Sequence, residues 1–242
     1  MKYLITSFLI ALVVGLLVFR PPKNTNKIKQ NIPVAKTSVT NINPTSKSYK
    51  VPILLYHYVE NITDKKDTIR QSLNTTPYIF EDEIKTLVNN NYTFMTASEL
   101  SDVIDGKKEL PAKPVLLTFD DGHWDLDTVV LPILKKYHVK ATAYIITGFI
   151  GSSDFLNKYQ LNDIINSGLI EIGAHTVHHI ALRSKLYPTV YYEVNQSKAY
   201  LENNYHIKVR SFAYPYGSYD NQAMQIVKDA GFSNSVSMTG TP

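Results

Sequence analysis

Residues 113–122 read KPVLLTFDDG, and this stretch decides the fold. Lys113-Pro114 leads into Val115-Leu116-Leu117-Thr118-Phe119, a nearly continuous apolar run of the kind found in strands buried on both faces. It stops abruptly on two adjacent carboxylates, Asp120 and Asp121, and on a glycine that marks a turn. Such a strand belongs to a parallel sheet, whose connections require helices. The neighbouring sequence supplies them. Upstream lie a strand-like run VPILLYHYV (51–59), a helical face of Phe80, Ile84, Leu87 and Val88 within 79–90, and a short strand at 92–95. Downstream, helices are predicted at 128–138 despite Pro132, at 157–167, at 189–204 and at 220–230. Between them run ATAYIIT (141–147), LIEIGA (169–174), VRSFAY (209–214) and SNSVSM (233–238). Seven strands alternating with helices predict an α/β domain, either an open parallel sheet or a barrel.

Polar residues collect where these strands end. His57 ends the first strand, Asp120 and Asp121 the third, His175 the fifth, and Tyr214-Pro215-Tyr216-Gly217 follows the sixth. In α/β barrels that edge carries the active site.

Charge divides the 242 residues in two. The first fifty hold eight basic residues and no acidic one; the rest hold seventeen basic and twenty-one acidic, so a net +4 is +8 followed by −4. A mildly acidic body argues against nucleic-acid binding. The absence of cysteine excludes disulfides, thiolate zinc sites, a cysteine nucleophile and a thioether lipid anchor. Residues 4–19, LITSFLIALVVGLLVF, follow Lys2 and precede Arg20-Pro21-Pro22-Lys23, the pattern of an export segment. Residues 1–20 are therefore expected to be a signal anchor or a cleaved signal peptide. Residues 21–50, rich in Asn, Thr, Ser, Lys and Pro, read as a flexible basic linker touching membrane or wall polymer, and 51–242 as the folded domain.

Several of the strand-end residues can carry chemistry. One carboxylate of Asp120-Asp121 can bind a divalent cation while the other serves as a base; ordinary capping of a turn is the alternative. His175 and His179 stand four apart in HTVHH, so on a helical turn both imidazoles face one way and can share a metal. Two imidazoles and a carboxylate suit zinc, with cobalt or nickel as alternatives, and leave a position open for water. His178 then points elsewhere. In Ile53-x-Leu55-x-His57 the parity that turns Ile53 and Leu55 to the core turns His57 inward too, where it can donate a proton or simply bond to backbone. His123 and Trp124, just after the Asp turn, and Tyr214 and Tyr216 are candidates for the cleft wall, with a backbone N–H of the aromatic turn available to a developing oxyanion.

This constellation resembles the polysaccharide deacetylase family, metal-dependent carbohydrate esterases with a NodB-like domain. Thr118-Phe119-Asp120-Asp121 matches the family's first motif, and His175-Thr176-Val177-His178-His179 its second. The resemblance implies a distorted (β/α)7 barrel, Asp120 as general base, and Asp121, His175 and His179 as metal ligands. It also implies that the Tyr216 N–H contributes to the oxyanion hole. Ala213 stands where most members have an arginine, so Arg183 and His178 become candidates to orient Asp120. Ile53-x-Leu55-x-His57 resembles a motif usually found near the C-terminus. Its early position, with Phe212-Ala213-Tyr214-Pro215-Tyr216-Gly217, is similar to deacetylases of the β-1,6-linked N-acetylglucosamine biofilm polymer. The acid role therefore falls to His57. No Asp-x-x-Asp-Trp motif follows the aromatic turn, and members often continue beyond its final strand, so a short member of reduced activity is one expectation. The activity implied is N-deacetylation of poly-β-1,6-N-acetylglucosamine by a bacterial, envelope-bound or secreted monomer. A peptidoglycan deacetylase, an O-acetyl esterase of xylan or wall polymer, and a silent carbohydrate-binding member are the alternatives.

Overall fold

The computed structural model describes residues 50–64 and 66–238; the expected anchor and nearly all of the linker lie outside the described residues. The chain enters with β1 (Ile53–Tyr56), followed by β2 (Tyr58–Val59), a short helix α1 (Thr68–Ser72) and β3 (Asn74–Thr75). Next come α2 (Pro77–Asn89), β4 (Thr93–Met95), α3 (Ala97–Ile104) and β5 (Pro114–Phe119). The second half contains α4 (Leu131–Tyr137), β6 (Ala141–Ile145), α5 (Lys158–Asn166), β7 (Ile170–Ala174), α6 (Tyr187–Tyr205), β8 (Ser211–Ala213), α7 (Asn221–Asp229) and β9 (Asn234–Val236). Among the described residues no helix is long and apolar enough to cross a membrane.

The seven expected strands form one parallel sheet in the order β1-β5-β6-β7-β8-β9, with β4 also on β5. β4 lies along Pro114–Leu116 and β6 along Thr118–Phe119, so the two share one edge of β5 while β1 takes the other. The sheet curls without closing, because β1 and β9 remain its two ends. β2 and β3 pair separately.

Alternation along β5 sets the layers. Leu117 and Phe119 face outward into the main core, where Phe80 and Ile84 of α2, Leu131 and Leu134 of α4, and Val190, Val194 and Leu201 of α6 are buried. Leu116 and Thr118 have the opposite parity and point into the curl of the sheet, as does Asp120 beyond them.

Local signals explain the helix boundaries. Thr96 and Glu99 form a reciprocal capping box at α3, and Asn157 and Gln160 do so at α5. Helix α3 was not expected. It sets its first turn against the inner carboxylate of Glu171, which accepts from Ser98 N at 2.9 Å and Ser211 Oγ at 2.7 Å. A helix N-terminus suits a buried anion. The helix predicted at 128–138 is in fact a wide π-type turn over Leu126–Val130 running into α4. Pro132 falls in the first turn of α4, directly after that wide turn. His138 and His206, read as ordinary surface residues, end α4 and α6 in the left-handed conformation, each with φ 54°.

Candidate active site and metal centre

The Asp turn is built by β5 running out of sheet. Asp121 (φ 74°) and Gly122 (φ 81°) both adopt left-handed backbone, which reverses the chain and turns both carboxylates toward one space. Asp120 is buried, at 6% exposure, and its Oδ1 has no hydrogen-bond partner. Burial, with the neighbouring charge of Asp121, pushes its pKa up to about 8. Asp121 behaves oppositely. Burial alone would raise it, but the close ring of His123 and the nearby His175 and His179 outweigh that and hold it at about 2. One carboxylate therefore keeps its charge while the other can hold a proton near neutrality, the separation that acid–base chemistry requires.

The two ligand histidines arrive on the loop after β7, and that loop is not a helical turn. Thr176 (φ 67°) and His179 (φ 54°) break any helical path. The rings still converge, with centroids 4.9 Å apart, because the loop is tied on three sides. Thr176 Oγ1 accepts from His179 N at 2.9 Å, Val177 O accepts from Gly148 N at 2.9 Å, and buried Glu193 of α6 accepts from the N–H groups of Val177 (2.8 Å) and His178 (2.9 Å). His175 Nδ1 lies 2.8 Å from the Ala213 carbonyl, which can only accept, so Nδ1 carries the proton and Nε2 keeps its lone pair. Burial lowers the His175 pKa to about 4, and His179 is lowered for the same reason. Both are neutral ligands at neutral pH.

Asp121, His175 and His179 offer three ligand atoms within 4.8 Å of one another. Asp121 Oδ1 stands 3.5 Å from His175 Nε2 and 3.3 Å from His179 Nε2, buried and without a hydrogen-bond partner. An ionised carboxylate and two imidazole lone pairs facing one point cannot satisfy each other. A divalent cation between them satisfies all three, so the residues fit the implied metal.

The remaining candidates are placed as follows. His57 lies at the same opening, its pKa lowered by burial despite the charge of Asp121. Tyr216, at φ 57° and 60% exposed, sets its ring 4.6 Å from that of His179. Its turn is closed by Gly217 N to Tyr214 O and Ser218 N to Pro215 O, bonds that do not engage the Tyr216 N–H. Beneath Asp120 a cavity of about 420 Å³ opens inside the curled sheet, lined by Ile53 and Leu55, Thr118, Tyr214 and Val236.

Four expectations need correction. His123 does not line the cleft: it is buried, stacked on Tyr58 at 3.9 Å, with Nε2 3.4 Å from Asp121 Oδ2 and Nδ1 3.2 Å from Asp154 O. It lies behind the metal-binding carboxylate. Tyr214 is likewise buried, stacked on Tyr219, and forms cavity wall rather than open cleft. Arg183 donates to Tyr219 O and His178 pairs with Glu193, so neither meets Asp120. Ile53 and Leu55 face the inside of the curl but stay 46% and 41% exposed, because the sheet does not close over them. Sequence reasoning missed Glu193 and Asp125; the latter, buried, accepts from Val59 N and ties β2 to the Asp turn. An acidic residue in the apolar face of a helix, as Glu193 is between Val190 and Val194, was the available signal.

Comparison with known proteins agrees with this geometry. The polysaccharide deacetylase family profile matches residues 107–235. YxkH of Bacillus subtilis, a polysaccharide deacetylase by name, is 31% identical over 192 residues, 79% of this chain and 66% of its own length. The poly-β-1,6-N-acetyl-D-glucosamine N-deacetylase of Staphylococcus aureus (strain MRSA252) is 30% identical over 231 residues, 90% of this chain and 76% of that one. This chain thus spans about two thirds of the length of the Bacillus relative. Among solved structures, the Streptococcus pyogenes deacetylase PplD in complex with acetate superposes with a TM-score of 0.73 at 29% identity, covering 79% of this chain and 85% of that one.

Proposed function

The chain belongs to the polysaccharide deacetylase family, a family of hydrolases, and from that premise we propose that it removes N-acetyl groups from an N-acetylglucosamine polymer of the bacterial envelope. The preferred polymer is poly-β-1,6-N-acetylglucosamine. One observation carries the activity: a buried carboxylate without a hydrogen-bond partner, Asp120, beside a convergent Asp121, His175 and His179. The choice of polymer is supported by identity over 90% of the chain to an enzyme named for it, and by the early Ile53-x-Leu55-x-His57. In this reading the apolar run 4–19 and the basic linker hold the domain at the outer face of the membrane.

Asp121, His175 and His179 would hold the divalent cation, zinc by ligand type. When bound it supplies Lewis acidity, polarising the acetyl carbonyl and acidifying water. The chain's own groups do the rest. Asp120 takes the proton from water as the oxygen attacks the carbonyl carbon; its raised pKa suits a base working near neutrality. The Tyr216 N–H, unused within its turn, donates toward the oxygen on which charge builds. As the C–N bond breaks, His57 in its protonated form gives the departing amine a proton; burial lowers its pKa, and the neighbouring charge of Asp121 is what favours that form. The products are acetate and a glucosamine unit. Acetate in the related streptococcal structure is consistent with that product.

The test is acetate release, with zinc supplied, from β-1,6-linked N-acetylglucosamine oligomers, peptidoglycan, chitin oligomers and acetylated xylan. Release from the β-1,6 oligomers, lost in Asp120→Asn, is expected. Release from peptidoglycan alone would overturn the polymer, and equal release by Asp120→Asn would overturn the role of Asp120.

A further inference from the structure

Helix α6 has two faces of different character. Val190, Glu193, Val194, Ser197 and Leu201 are buried against the domain. Flanking that face, Tyr192, Gln196, Tyr200 and Asn203 recur at spacings of four, four and three, which places them in one stripe. All four are exposed, the two tyrosines by 50% and 40%. The stripe forms one wall of a groove of about 300 Å³, whose other wall includes Gly148 and Val177.

Three features point to the occupant. The groove has no charged side chain in its lining, so it suits a neutral ligand rather than a polyanion or a basic peptide. The Gln196 and Asn203 amides make no hydrogen bond among the described residues, whereas Asn195 and Asn204, off the stripe, donate back to the helix carbonyls of Tyr191 and Tyr200. Alternating ring faces and unengaged amides match a pyranose polymer, which offers C–H faces for stacking and hydroxyl and acetamido groups for pairing. Finally, the groove borders the loop that carries the metal ligands. Val177 belongs to the loop between His175 and His179, and the ring of His178 stacks over Tyr192 at 6.2 Å with only 9° between planes.

We infer that this face of α6 is a polymer-binding track, which holds sugar units beyond the one being deacetylated and leads them past His178 to the catalytic opening. From Tyr192 to Asn203 the helix rises about 17 Å, room for a few sugar rings. The inference rests on the deacetylase reading but concerns a surface that chemistry does not need. It makes the enzyme one that prefers long chains.

The test compares β-1,6-linked N-acetylglucosamine dimer with hexamer, using wild type, Tyr192→Ala, Tyr200→Ala, and Tyr159→Ala as a control on the exposed face of another helix. In wild type the KM for the hexamer is expected to be about tenfold below that for the dimer, the scale of one well-stacked ring. Tyr200→Ala and Tyr192→Ala should lose most of that ratio with kcat on the hexamer within about twofold, while Tyr159→Ala keeps it. Equilibrium binding of the hexamer, measured without turnover, separates the two readings. Weakened hexamer binding in Tyr200→Ala with no acetate released by any form would sink the deacetylase function and leave the track standing. Normal acetate release with equal hexamer KM and Kd in every form would remove the track alone.

Discussion

Glu193→Ala withdraws the carboxylate that holds the metal-binding loop from below. Its Oε2 accepts from Val177 N at 2.8 Å and His178 N at 2.9 Å, and Oε1 lies 2.7 Å from His178 Nδ1. The His178 side chain is 56% exposed, so its contact is screened by solvent and adds little. Two backbone bonds to a buried carboxylate, at roughly 1.5 kcal/mol each, amount to about 3 kcal/mol. For a domain of this size that lowers Tm by about 6–12 °C. Loosening the loop also releases His175 and His179 from their common orientation, and loss of such outer support lowers cation affinity about 10- to 100-fold. Glu193→Gln retains an oxygen that can accept both N–H groups and should recover most of both losses. Thermal unfolding of the cation-free protein and a zinc-binding titration measure the two effects separately. A Glu193→Ala protein that unfolds within about 1 °C of wild type and binds zinc as tightly would refute the claim that this residue builds the site.

Three further outcomes are expected. Asp120 has a folded pKa of about 8 against an ordinary 3.8, so in the cation-free protein the stability it contributes below pH 4 is lost as pH rises through 8; between pH 5 and 9 the Tm of wild type should fall relative to that of Asp120→Asn, and parallel curves would contradict the assignment. Gly148→Ala would place a Cβ 2.4 Å from the Val177 carbonyl oxygen, so it should destabilise the domain by about 1–3 kcal/mol and weaken zinc binding, both visible in melts with and without the ion. With His175 near 4 and Asp121 near 2, zinc binding should survive mild acid and fail as pH drops through about 4, where a proton takes His175 Nε2; a titration midpoint above 6.5 would show that the imidazoles are not held neutral by burial.

What the sequence disclosed and what it withheld follow from range. The seven strands, five of the helices and the strand ends that carry Asp120, Asp121, His175 and Tyr216 are written in local periodicity, and the sheet brings them together as expected. Helix α3 escaped because Ser98 and Ser101 interrupt its apolar face, and Ser98 instead meets Glu171, a partner distant in the chain. His123 reads as a cleft-wall residue since it follows a polar turn, yet the rings of Tyr58 and Phe155 pack against it and bury it. The 175–179 segment has spacing compatible with a helical turn, and nothing in its residue types announces positive φ at Thr176 and His179. Glu193 could be seen as anomalous but not located, because its partners become neighbours only once α6 packs on the loop.

Asp121, Thr176, His179 and Tyr216 are all non-glycine residues with φ between 54° and 74°, and they surround one opening. Left-handed backbone costs a residue with a side chain on the order of 1 kcal/mol, so the four together forgo roughly 4 kcal/mol of a fold whose margin is only about 5–15. Glycine at exposed Tyr216 would relieve part of that penalty and raise the melting temperature, whereas at Thr176 it would also delete the Oγ1 that accepts from His179 N. A campaign to make this protein hardier, guided by heat resistance alone, would therefore be drawn first to the positions that keep its ligands aimed. Heat tolerance and catalytic competence have to be selected together here, since a gain in the first at these four sites is a loss of order in the second.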